Sequence, residues 1–101
     1  MFRVIDTINV NATLFVHHPE WRERYGSEGL LAILDPAEVT EVPVAPGTLM
    51  RIHRPDGSTI EHITTYGERP SNAVGLFFPH LTANDLPRLS MLEPIPTPAN
   101  P

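Results

Sequence analysis

Met50-Arg51-Ile52-His53-Arg54-Pro55-Asp56-Gly57-Ser58-Thr59-Ile60-Glu61-His62 decides how this chain folds, because it holds two strands and the turn between them. Pro55 presets the backbone at the start of the turn, and Gly57 accepts the positive φ that a type I turn with a bulge requires. With a three-residue Pro55-Asp56-Gly57 loop, Arg54 faces Ser58, Ile52 faces Ile60, Arg51 faces Glu61 and Met50 faces His62. Met50, Ile52, Ile60 and His62 then share one face, with His62 partly buried, while Arg51 and Glu61 form a cross-strand ion pair on the other. A two-residue loop would set Ile52 against Glu61 and mix the faces.

Further strands lie on either side. Phe2 to Val10 places apolar residues at Phe2, Val4, Ile8 and Val10 and is rich in β-branched residues. Leu14-Phe15-Val16-His17 is a short apolar run that reads as a second strand ending before Pro19. Leu30-Leu31-Ala32-Ile33-Leu34, bounded by Gly29 and Asp35-Pro36, fits a strand buried on both faces. Pro43, Pro46 and Gly47 break up the next segment into an edge strand or loop. Ala73 to Phe78 reads as a central strand in which Gly75 implies close approach of another backbone. Thr82-Ala83-Asn84-Asp85 has the spacing of a helical cap and predicts a single turn stopped near Pro87. Ser90-Met91-Leu92-Glu93 supplies a last strand that would close a barrel, and Pro94, Pro96, Pro98 and Pro101 mark an extended tail.

Pro19-Glu20-Trp21-Arg22-Glu23-Arg24-Tyr25-Gly26 carries the punctuation of a helix: Pro and an acid at its start, Gly at its end. Trp21 and Tyr25, four residues apart, share one face of it. They either cover one end of the fold or form, with Arg22 and Arg24, a partner-binding surface. The expected architecture is all-β: a small closed or partly open antiparallel β-barrel over residues 1–93, with a short helical insertion at 19–26 and a Pro-rich tail at 94–101.

Several blocks resemble the second domain of translational GTPases such as elongation factor Tu. Phe2 to Val10 is similar to that family's opening F-x-V-x-D-x-F-x-I strand, and Gly47-Thr48-Leu49 to part of its G-T-x-L strand. Ala73 to Phe78 resembles its V-G-L-x-L-R-G strand, and Asp85-Leu86-Pro87-Arg88 its D-[VIL]-x-R-G turn. The resemblance spans residues 2–10 and 47–93. Asn11 to Gly29 replaces the family's Gly-Arg-Gly turn, and Arg88-Leu89 stands where the family has Arg-Gly. In elongation factors this barrel packs on the GTPase and helps hold the aminoacyl end of transfer RNA. Here no G-x-x-x-x-G-K-[ST] loop exists, so the resemblance implies a standalone barrel.

Composition narrows the chemistry. The chain has 101 residues, 41% of them hydrophobic and 19% charged, which suits one domain with a packed core. It has no cysteine, so disulfides, thiolate nucleophiles and Cys-ligated metals are excluded. All seven basic residues are Arg, which removes lysine Schiff-base chemistry. Twelve acidic residues leave a net charge of −5, a field that repels nucleic acid, transfer RNA included. Met1 to Asp6 reads as neither signal peptide nor membrane span, and a cytoplasmic protein is expected.

His17, His18, His53, His62 and His80 raise a metal reading, whose main form is zinc held by His18, His80 and a nearby carboxylate such as Glu20. On strands, His17 and His18 would point to opposite faces, as would His53 and His62. Ser27, Ser58, Ser71 and Ser90 sit at turns or strand ends with no nucleophile elbow, and 101 residues leave little room for a deep cleft between carboxylates such as Asp35 and Glu38. The balance favours a noncatalytic module, without cofactor, that binds a protein partner or a second copy of itself.

Overall fold

The computed structural model describes residues 1–69 and 72–96. The hairpin adopts the expected register: β3 (Thr48–His53) pairs with β4 (Thr59–Thr64) so that Met50, Arg51 and Ile52 face His62, Glu61 and Ile60. Arg54 N donates to Ser58 O at 2.8 Å, and Gly57 has φ 91°. Asp56 closes the turn by accepting from the Ser58 hydroxyl at 2.6 Å and from its N–H at 2.9 Å. Those bonds hold the Asp56 carboxyl below the usual carboxylate range. Arg51 Nη2 lies 3.0 Å from Glu61 Oε2 on one face, and Met50 and Ile52 are fully buried on the other with His62 half-buried.

Five further strands complete a seven-stranded antiparallel sheet: β1 (Phe2–Val10), β2 (Gly29–Leu34), β5 (Tyr66–Glu68), β6 (Gly75–Pro79) and β7 (Met91–Pro94). Their order is β4-β3-β7-β1-β2-β6-β5. The sheet is open, with β4 and β5 as its edges, so the last strand does not close a barrel as its sequence suggested. β7 instead lies inside the sheet and joins the hairpin to β1. Folded structure also runs past residue 93: Pro94 faces Met50, and Ile95 N donates to Leu49 O at 2.8 Å. Residues 97–101 of the expected tail lie outside the described residues. Residues 35–47 form a loop.

A second correction concerns Leu14 to His17, which is helical. α1 (Ala12–His17) is capped by Asn11, whose side chain accepts from Leu14 N at 3.1 Å. The apolar run suggested a strand, but none of its residues is fully buried, and the one that packs against a core, Phe15, does so from the helix that the local cap starts. The chain therefore has two short helices, α1 and α2 (Pro19–Tyr25), where one was expected.

The apolar residues of β2 divide between two cores. Leu30, Ala32 and Leu34 join Val4, Met50, Ile52, Leu76, Phe78 and Leu92 on the concave side. Leu31 joins Val10, Phe77 and Tyr25 on the other side, with Ile33 packed against them. A bulge in β1 between Val4 and Asp6 reverses the alternation, so Val4 serves the first core and Val10 the second. Gly75 makes room for a side chain and not a backbone: a Cβ there would lie 3.0 Å from Leu31 Cδ1.

The loop from β6 to β7 contains both non-glycine residues with positive φ found among the described residues, His80 at 65° and Leu89 at 69°. Asp85 braces it, accepting from Thr82 N at 2.9 Å and Thr82 Oγ1 at 3.0 Å, which lowers its pKa. The end of the loop is pinned to the β1 bulge. Leu89 N donates to Val4 O at 2.7 Å, Val4 N to Ser90 O at 2.9 Å, and Arg88 Nε to Ile5 O at 2.9 Å. These bonds impose a conformation that costs a non-glycine residue roughly 1–2 kcal/mol, and Leu89, 61% exposed, recovers little by burial. Leu89→Gly should therefore stabilise the fold by about 0.5–1 kcal/mol net of glycine's entropy, raising Tm by a few degrees. A thermal melt with unchanged or lower Tm would contradict this account.

Candidate functional site

The helical insertion covers the convex side of the β1-β2-β6-β5 half of the sheet. Pro19 and Glu20 start α2, and Gly26, at φ 81°, ends it by donating its N–H to Arg22 O at 2.9 Å. The four-residue spacing of Trp21 and Tyr25 brings their rings into edge contact, with centroids 6.0 Å apart. An aromatic series follows from the surface inward. His18 stacks on Trp21 at 4.9 Å, and Tyr25 meets Tyr66 edge-on at 5.6 Å and Phe77 at 4.8 Å.

Tyr25 is buried, and its hydroxyl donates to Glu68 Oε1 at 2.5 Å. Arg24 Nη1 lies 3.6 Å from the other oxygen of that carboxylate. Burial, reinforced by the hydrogen bond and charge of Glu68, pushes the Tyr25 phenol far above its ordinary pKa. Its role in the structure is to fasten α2 to β5. Of the four residues singled out from the sequence, Trp21 is half-buried, Arg22 and Arg24 are exposed, and Tyr25 is turned into the core. Glu68, 43 residues from Tyr25, carries no local sequence signal for this bond. Val16, in a run whose hydrophobicity suggests a strand, stands 76% exposed on α1.

The histidines are dispersed. His18 Nδ1 lies 3.7 Å from Glu20 Oε1, whereas His80 sits beyond β6, its N–H donating to Glu28 O at 2.9 Å. Among the described residues no three His, Asp or Glu side chains gather where they could hold a metal ion. His53 and His62 lie on opposite faces of the hairpin. His53 Nε2 is 2.9 Å from Glu93 Oε1, and that bond, aided by Arg51, holds the Glu93 carboxyl below the usual range. His62 Nε2–H donates to Pro79 O at 2.7 Å. Of the remaining chemical candidates, Ser90 Oγ donates to Pro87 O at 2.6 Å, Asp35 Oδ1 accepts from Ala37 N at 2.9 Å and Glu38 Oε1 accepts from Arg3 N at 3.3 Å, while Ser71 lies outside the described residues.

Two surface depressions stand out among the described residues. One, of about 330 Å³, lies between the end of β1 and the start of the β6–β7 loop, flanked by Asn9, Glu28, His80 and Thr82. Two of the polar groups around it already cap α1, since Asn11 Oδ1 takes Leu14 N and Glu28 Oε1 takes Ala12 N at 2.8 Å. The other, of about 490 Å³, is an apolar groove along β4, between Leu49 and Ile63 on one side and Pro79 and His80 on the other.

The Tyr25–Glu68 bond yields a test with a defined sign. Tyr25→Phe should cost about 1–2 kcal/mol in urea unfolding at neutral pH, because a half-sheltered carboxylate loses its donor. A folded-state pKa raised above the unfolded value means that the contribution is complete at neutral pH. It declines above roughly pH 10, where the unfolded chain's tyrosines ionise first. Wild-type stability should therefore fall between pH 9 and pH 11 more steeply than that of the variant; parallel profiles would count against a buried neutral phenol.

Set beside protein-family models, curated proteins and solved structures, the chain matches none of them, so what this site does is read from its own geometry.

Proposed function

We propose that this chain is a noncatalytic binding module, a partly open barrel of the elongation-factor second-domain type that recognises a protein partner through its helical insertion. One observation carries the reading. Helix α1 buries none of its residues and leaves Val16 76% exposed, two residues before His18, whose ring stacks on the half-buried Trp21. An exposed apolar residue, a partly covered indole and an exposed arginine within one short insertion have the composition of a small interface centre. Two features support the barrel relationship. Leu89 holds a positive φ at the position of the family's glycine. The two edges of the sheet also converge on Phe77, whose carbonyl accepts Thr64 Oγ1 at 2.8 Å and Thr65 N at 3.1 Å.

The test keeps Tyr25, since it belongs to the core. A Val16→Asp, Trp21→Ala, Arg22→Ala variant should melt cooperatively with the far-ultraviolet spectrum of the wild type. In affinity capture from native lysate, a protein retained by the wild type with and without nuclease should be lost with the variant. Equal capture by both chains, or capture that nuclease abolishes, would overturn the proposal. Sedimentation velocity of the two chains separates out self-association: a mass that rises with concentration only for the wild type makes the partner a second copy.

A further inference from the structure

We infer that the outer edge of β4 is a docking site for an extended peptide strand, distinct from the helical face. The direction of the main-chain groups follows from two bonds. Thr64 O accepts from Gly47 N at 2.8 Å, toward β3, whereas Thr65 N donates to Phe77 O at 3.1 Å, away from it. The register of β4 on β3 has no shift, so the two-residue repeat turns the N–H and C=O groups of Ile60 and His62 inward and those of Thr59, Glu61 and Ile63 outward. Among the described residues β4 pairs with β3 alone, and Thr59, Glu61 and Ile63 are exposed.

Across the gap, β6 cannot supply the missing ladder. Its carbonyls at Phe77 and Pro79 are engaged by Thr65 N and Thr64 Oγ1 and by His62 Nε2. Pro79 has no N–H to offer, and His80, at φ 65°, turns the chain away. What remains is the 490 Å³ groove between β4 and this corner, with Leu49, Ile63 and Pro79 as its apolar surface. Unpaired donors and acceptors along one side and apolar side chains beneath them suit strand addition, in which main-chain bonds give affinity and alternate side chains give selectivity. The occupant is therefore a peptide segment in extended conformation with apolar residues at alternate positions. Glu61, whose carboxylate is paired with Arg51, leaves the edge without an uncompensated charge.

The probe is a phage-displayed library of random linear peptides selected on the immobilised intact protein, followed by amide exchange measured by NMR with a synthesised selectant. In the free protein the amides of Ile60 and His62 should exchange slowly and those of Thr59, Glu61 and Ile63 fast. Bound peptide should slow the latter three by about tenfold or more. Ile63→Pro removes an outward N–H, which an edge strand tolerates, and should weaken binding by about tenfold while the protein stays folded. Thr59→Pro serves the same purpose should the first variant unfold, and Trp21→Ala should bind as the wild type does. Failure to select any peptide, or protection confined to amides elsewhere, overturns the assignment. So does protection of the three amides that grows with protein concentration in the absence of peptide, which would give the edge to a second copy of this chain.

Discussion

Leu30, Ala32 and Leu34 leave β2 on one side and Leu31 and Ile33 on the other, and both sides must be kept from water. Full burial of one such side chain is worth roughly 1.5–3 kcal/mol, against a total stability of about 5–15 kcal/mol for a domain. Neither face of β2 can therefore be left bare. Curling the sheet brings Met50, Ile52 and Leu92 over the first side, and folding the 11–28 segment back brings Phe15, Trp21 and Tyr25 over the second. The bulge in β1 follows from the same demand. An uninterrupted strand would keep Val4 and Val10 on one face, whereas the extra residue lets a single strand border both cores.

This two-sided requirement explains which parts of the fold were legible in the sequence. The hairpin was, to the residue, because Pro55, Asp56 and Gly57 act through bonds within four positions and the facing residues sort by parity. β2 was legible as doubly buried from its unbroken apolar run. Leu14 to Val16 misled for a related reason: their hydrophobicity suggested a strand, but Asn11 supplies a helical cap, and of the three only Phe15 packs against a core, from the helix. The place of β7 could not be read, since a four-residue strand carries no record of whether it ends a sheet or bridges one. Nor could the tie between Tyr25 and Glu68, where burial of the ring, not any motif, selects the carboxylate. The spacing of Trp21 and Tyr25 did place both rings together, but spacing alone does not reveal which of them the sheet covers.

The loop after β6 links these constraints to the exposed edge. It must carry the chain from one border region of the sheet to β7 in the middle of it, and it turns at both ends through positive φ at His80 and Leu89. Leu86 plugs the concave core on the way, and Arg54 Nε fixes the loop to the hairpin by donating to Asp85 O at 2.8 Å. A β6 that continued straight would run alongside β4 and satisfy its outward groups. The turn at His80 prevents this, so the free edge of β4 results from a strained corner held by its surroundings and not from a shortage of chain. In water those main-chain groups are solvated and cost the free protein little, whereas pairing them in a groove walled by Leu49, Ile63 and Pro79 adds apolar burial to each bond formed. The geometry that completes the core thus leaves one border of the sheet able to accept another strand.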